Sequence, residues 1–142
     1  MVLKSVLDQA KSFLCWDTFP DLTIQLIELE ETAAYFYPPS SQQSTILVFY
    51  RKQAADFSRP LFLMMHEAGH LLQYEEWEKD GRVSDFWKVL NESGGSIKAA
   101  FERESWDWGR DLLEDFIAKN GLDEDLLEAY ERYAGRCIQS YR

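Results

Sequence analysis

Residues Leu61-Phe62-Leu63-Met64-Met65-His66-Glu67-Ala68-Gly69-His70-Leu71-Leu72 decide how this chain is read. Apolar residues surround almost the whole helical wheel, so the segment predicts a helix buried on every side. It runs from Leu61 to about Tyr74, with Ser58 and Pro60 suited to its start. Two histidines and a glutamate interrupt it. Buried polar groups are costly unless they are paired or coordinate a metal, so this triad requires a chemical reason. Residues four apart project from one helical face, one turn above each other, so His66 and His70 can place both imidazoles on one ion. Glu67 lies about 100° round the helix from His66, where its carboxylate can reach a water on that ion without becoming a ligand. The chain has only these two histidines. Chance sets them at this spacing, with Glu next, on the order of once in a thousand such sequences. Gly69 removes a side chain beside the pair, which predicts close approach of the sheet or of a ligand.

Working outward, Val2, Leu3, Val6, Leu7, Ala10, Phe13 and Leu14 recur at helical spacing, predicting an amphipathic helix over about the first fifteen residues. Residues 23–29 and 33–37 read as strands, Pro38-Pro39-Ser40-Ser41 as a turn, and the apolar run 45–50 as a strand buried on both faces. After a charged segment from Glu75 to Arg82, Ser84 can cap a short helix through Phe86 and Leu90, which Gly94-Gly95 ends. Ser96 opens a longer helix to Asn120-Gly121, and a last amphipathic helix carries Leu126, Leu127, Tyr130, Tyr133 and Cys137. The expected fold is α+β: a small, mainly antiparallel sheet on the buried histidine helix, with further helices after it, in one domain over residues 1–142.

Composition narrows the function. The 142 residues, 46% hydrophobic, suffice for one real core. A formal charge of -10 opposes nucleic-acid backbones and anionic lipid, so neither direct nucleic-acid binding nor membrane attachment is expected. Cys15 and Cys137 lack metal or redox spacing and read as packing residues. No apolar run approaches membrane-spanning length, and the expected compartment is the cytoplasm.

A catalytic zinc site commonly has three protein ligands and an open position. With both histidines used, the third must be a carboxylate, and Glu76, Glu102 and Glu104 are the candidates. Glu76 turns away from the His66/His70 face if that helix continues. On the later helix, Phe101, Ser105, Trp108, Gly109, Leu112 and Phe116 form the apolar stripe; Glu102 lies at its edge beside Trp106 and Leu113, while Glu104 falls toward the opposite edge with Asp111 and Asp115. Periodicity favours Glu102 over Glu104.

The His66-Glu67-x-x-His70 helix, preceded by strands and followed by a helix bearing Glu102-Arg103-Glu104-Ser105-Trp106-Asp107-Trp108-Gly109-Arg110-Asp111-Leu112-Leu113, resembles the zincin-like gluzincin branch of metallopeptidases and, within it, the ImmA/IrrE family. That family's pattern, Glu-x-Glu-Ala-Asn-x-Phe-Ala-Ala-x-Leu-Leu, lays its first Glu on Glu102 and its last pair on Leu112 and Leu113. The similarity spans roughly residues 33–116. Its Asn position holds Trp106 here, and the histidine common four residues past the second ligand is Tyr74. The resemblance implies a cytoplasmic protease whose substrate is a protein, a separate transcriptional regulator, since no helix-turn-helix module fits in this chain.

Together these features lead to a zinc-dependent hydrolase: Zn2+ on His66, His70 and Glu102 activates a water, and Glu67 accepts its proton as general base. Tyr35, Tyr37, Tyr74, Tyr130 and Tyr133 are all candidates to stabilise an oxyanion, with nothing to rank them. Two other readings compete. One is a zinc-binding but non-catalytic interaction domain, with Trp77, Trp106 and Trp108 marking either an interface or core; the other is a metal-free fold.

Overall fold

The apolar run around Ile46 becomes the centre of the sheet. In the computed structural model, which describes residues 1–40 and 43–141, strands β1 (Leu22–Leu29), β2 (Ala33–Ser40) and β3 (Gln43–Arg51) lie in the order β1-β3-β2. β1 pairs with β3 in parallel, from Leu22 opposite Ser44 to Leu29 opposite Arg51, and β2 pairs with β3 antiparallel, Ala33 opposite Phe49 and Tyr37 opposite Thr45. The sheet is therefore mixed rather than mainly antiparallel. The reason is burial: β3 is the most continuously apolar strand and takes the middle position, which separates β1 from the strand that follows it in sequence.

One face of the sheet is closed. Leu22, Ile24, Phe36, Ile46 and Val48 are buried, whereas Thr45, Leu47 and Phe49 on the other face of β3 are only half-buried, so that strand is not covered equally on both sides. Pro38 and Pro39 extend β2 instead of turning. An edge strand tolerates proline because its outward N–H groups need no partner in the sheet. The register of β2 shifts between Tyr37 and Ser40, and Ser41 of the expected turn lies outside the described residues.

The sheet packs on a long helix, α2 (Ser58–Lys79), preceded by α1 (Lys4–Ser12) and a π-helical turn over Phe13–Thr18. Helices α3 (Val83–Leu90), α4 (Ser96–Asn120) and α5 (Asp125–Gln139) follow. The charged segment after Tyr74 continues α2 for more than a turn, because it keeps the helical period: Gln73 and Tyr74 are buried, Trp77 is half-buried, and Glu75, Glu76, Glu78 and Lys79 face solvent. Gly81, at φ 70°, then adopts the left-handed conformation that stops a helix. Val83, not a Ser84 cap, opens α3, and Gly121 in the left-handed region ends α4.

The chain divides into two compact units, Met1–Ala68 and Gly69–Arg142. In the first, Asp56 receives hydrogen bonds from the Val2 amide (2.9 Å), the Ser58 amide (3.1 Å) and the Ser58 hydroxyl (2.6 Å), which anchors the start of α2. In the second, Phe86 of α3 is fully buried against Tyr74, Trp77 and Phe101, with ring centroids 5.2 to 5.9 Å apart. Burying one such ring is worth roughly 1.5–3 kcal/mol. Trp106 of α4 is buried against Tyr130 of α5, whose hydroxyl donates to the Trp106 carbonyl at 2.6 Å. Trp106 is thus core rather than interface. Cys15 and Cys137 are each half-buried. Among the described residues no helix is long and apolar enough to cross a membrane.

Candidate metal centre

The polar interruptions in α2 are as deep as the apolar residues around them: His66 is 5% exposed, Glu67 8%, His70 2% and Gln73 0%. Helical spacing puts His66 one turn before His70. Glu102 of α4 is 3% exposed, and ligand atoms of His66, His70 and Glu102 all lie within 4.8 Å of one another. This buried group can hold a metal ion. Glu104 and Glu76, the two carboxylates set aside on helical phase, are exposed.

Hydrogen bonding fixes which face of His70 is available. Gln73 Nε2 donates to the Phe101 carbonyl at 2.9 Å, which orients the amide so that its Oε1 faces His70 Nδ1, also at 2.9 Å. A carboxamide oxygen only accepts, so Nδ1 carries the hydrogen. Yet His70 Nε2 stands 3.0 Å from Glu102 Oε2. With Nδ1 protonated, a neutral imidazole presents a lone pair at Nε2, directed at a carboxylate oxygen that also carries lone pairs. The contact needs a proton, on the ring or on the carboxyl, or a metal ion between them. Such an outer hydrogen bond from the non-ligating nitrogen is the usual way a metal-binding histidine is oriented. The donor set, two imidazoles and a carboxylate, suits a divalent transition-metal ion.

The other oxygen of Glu102 is occupied. Lys98, one turn earlier on α4 and 4% exposed, places Nζ 2.9 Å from Glu102 Oε1 and donates as well to the carbonyls of Val89 (3.2 Å) and Leu90 (2.8 Å) at the end of α3. Phe101 stacks on the His70 ring with centroids 5.2 Å apart, and Phe86 meets it edge-on at 6.5 Å, so aromatic rings shield this histidine from water. Nothing matches in comparisons with protein-family models, with curated proteins or with solved structures.

Glu67 Oε1 lies 3.9 Å from His66 Nε2, beside the group but not one of its three members. The tyrosines separate by environment. Tyr130 is fully buried with its hydroxyl committed to the Trp106 carbonyl, and burial pushes its pKa far up. Tyr74 turns its hydroxyl toward Glu78 at 3.5 Å, and burial together with that carboxylate raises its pKa. Tyr35 and Tyr37 are exposed on β2, and Tyr133 packs against Trp106.

Gly69 has a role different from the expected one. A Cβ there would overlap the carbonyl oxygen of Ser105 and would sit 3.0 Å from both the Ser105 carbonyl carbon and the Gly109 amide. Its bare backbone admits helix α4, the element that carries Glu102, rather than the sheet or a ligand. Two participants escaped sequence reading, Lys98 and Gln73. Their signal was spacing alone: Lys98 precedes Glu102 by four residues and Gln73 follows His70 by three, the separations at which helical side chains meet.

Proposed function

We propose that this chain is a zinc-dependent hydrolase, a peptidase of the HExxH kind acting in the cytoplasm, with His66, His70 and Glu102 as ligands and Glu67 as general base. The observation that carries the reading is the buried group of three ligands whose histidine tautomer, at His70, leaves Nε2 directed at Glu102. Among the described residues the group has three members, the number usual where a position is kept for substrate or water, whereas a purely structural site is closed by a fourth. Bound there, zinc would supply Lewis acidity toward a water and a substrate carbonyl.

The chain's own residues do the rest. Glu67, next to His66, accepts a proton from the attacking water and returns it to the leaving amine. Gln73 holds the His70 ring, and Phe101 and Phe86 exclude bulk water from it. The substrate is an extended peptide segment of a protein, and the resemblance to the ImmA/IrrE family supports a separate transcriptional regulator. Strand β1 is a sheet edge without proline, so a peptide can pair along it by strand addition.

Mass-spectrometric detection of peptide cleavage by the zinc-loaded protein, compared with Glu67→Gln, tests the mechanism. The variant is expected to retain its metal and lose about 100-fold or more in rate. A zinc-loaded variant cleaving at the wild-type rate would refute the role of Glu67.

A further inference from the structure

A lysine with almost no exposure, bonded to a carboxylate that approaches His70, has work beyond ordinary packing. Lys98 Nζ reaches three oxygens, Glu102 Oε1 at 2.9 Å and the Val89 and Leu90 carbonyls at 3.2 and 2.8 Å, so every donor of the ammonium has a partner within the second unit. The rings of Phe101 and Tyr141 lie 5.4 and 5.5 Å from Nζ and close the remaining directions. The ammonium is therefore fixed from three sides, with α3 carbonyls as its anchor. Glu102 in turn has its two oxygens assigned to different partners, Oε1 to Lys98 and Oε2 to the face of His70 Nε2.

We propose that Lys98 is the positioning residue of the metal centre, holding Glu102 so that it offers a metal one oxygen and never two. This rests on the reading that His66, His70 and Glu102 bind a divalent metal. A carboxylate free at both oxygens can chelate an ion with both and fill an extra coordination position. With Oε1 bonded to an immobile ammonium, chelation would have to break a charge-assisted hydrogen bond between two side chains that are both almost fully buried. Lys98 thereby keeps the coordination number low and a position open, which favours ions content with four ligands, zinc and cobalt(II), over those demanding six oxygens. Its charge also offsets that of Glu102, so the carboxylate is tolerated in the core before any ion arrives.

The test uses cobalt(II) as a spectroscopic probe on full-length wild type and Lys98→Met, which keeps length and apolar bulk but donates nothing. Folding of both is checked by circular dichroism. The wild type is expected to bind cobalt with the intense visible bands of a low-coordinate site. The variant is expected to bind it about 10- to 100-fold more weakly, with weaker, shifted bands as Glu102 becomes bidentate. A folded variant with wild-type affinity and wild-type bands would overturn the role of Lys98 while leaving the metal site standing. A wild type that takes up no cobalt would overturn both. X-ray absorption fine structure of the cobalt-loaded wild type needs no variant: one carboxylate oxygen at the metal supports the proposal, and a bidentate carboxylate refutes it even if Lys98→Met fails to fold.

Discussion

Replacing Gly69 by alanine adds one methyl group at the point where α2 and α4 touch, and the structure sets the size of the effect. The new Cβ would collide with the Ser105 carbonyl oxygen and stand 3.0 Å from the Ser105 carbonyl carbon and the Gly109 amide. All of these are backbone atoms in the middle of a 25-residue helix, so none can rotate aside. Helix α4 must shift by roughly 1 Å, because close-packed interiors absorb little. Overpacking of this kind costs up to about 3 kcal/mol, against which alanine regains about 1 kcal/mol of helix propensity. The net is a loss of about 2 kcal/mol, or roughly 4–8 °C in Tm for a chain of this size. The displacement also moves Glu102 relative to His70, now 3.0 Å apart, and a ligand misplaced by that much is expected to weaken metal binding tenfold or more. Urea denaturation of metal-free protein measures the first effect and competition with a chelating dye the second. Gly135→Ala is the control: it sits inside α5 with nothing within 4 Å of its Cβ, so propensity acts alone and stability should rise by about 1 kcal/mol. A Gly69→Ala protein stabilised like Gly135→Ala, with unchanged metal affinity, would refute the close-contact account.

Two further substitutions probe the frame around the site. Tyr130→Phe removes the buried hydroxyl that donates to the Trp106 carbonyl, and should lower stability by about 1–2 kcal/mol in urea denaturation without changing metal stoichiometry. Asp56 is held below its ordinary pKa: slight burial works to raise it, but the Ser58 hydroxyl and the Val2 and Ser58 amides, which bond the ionised form, prevail. The stabilisation is thus present above the unfolded-state value of 3.8 and is lost as pH falls through the lower folded value. Asp56→Ala should cost about 1 kcal/mol at pH 7, with the gap to wild type closing below pH 3.8 in parallel denaturation curves.

The features legible in the sequence were those governed by local periodicity. The histidine helix and the inward phase of Glu102 follow from a spacing near 3.6 residues, and the end of α4 from the local stop signal of Gly121. In the structure the buried stripe of α4 is broader than expected. It takes in Trp106, Leu113 and Ile117, so Glu102 lies well inside it rather than at its edge. Sheet order was not legible, since β1 and β3 pair across 13 residues of intervening chain, and residue pattern does not specify which strands become neighbours. Pro38-Pro39 read as a turn because proline breaks central strands, whereas an edge strand accommodates it. Lys98 was invisible for a statistical reason: a lysine in an acidic chain reads as surface, and only its distance to Glu102 reveals a buried counterion. Gly69 was recognised as a close approach, but the partner backbone came from an element about 36 residues further along the chain.

The most direct measurement is metal content per chain for wild type, His70→Ala and Glu102→Ala, purified without chelator or affinity-tag metal and checked for folding by circular dichroism. The account predicts about one zinc per wild-type chain and its loss from both folded variants. A folded wild type that holds no zinc even after the ion is supplied, or variants that keep a full equivalent, would contradict it.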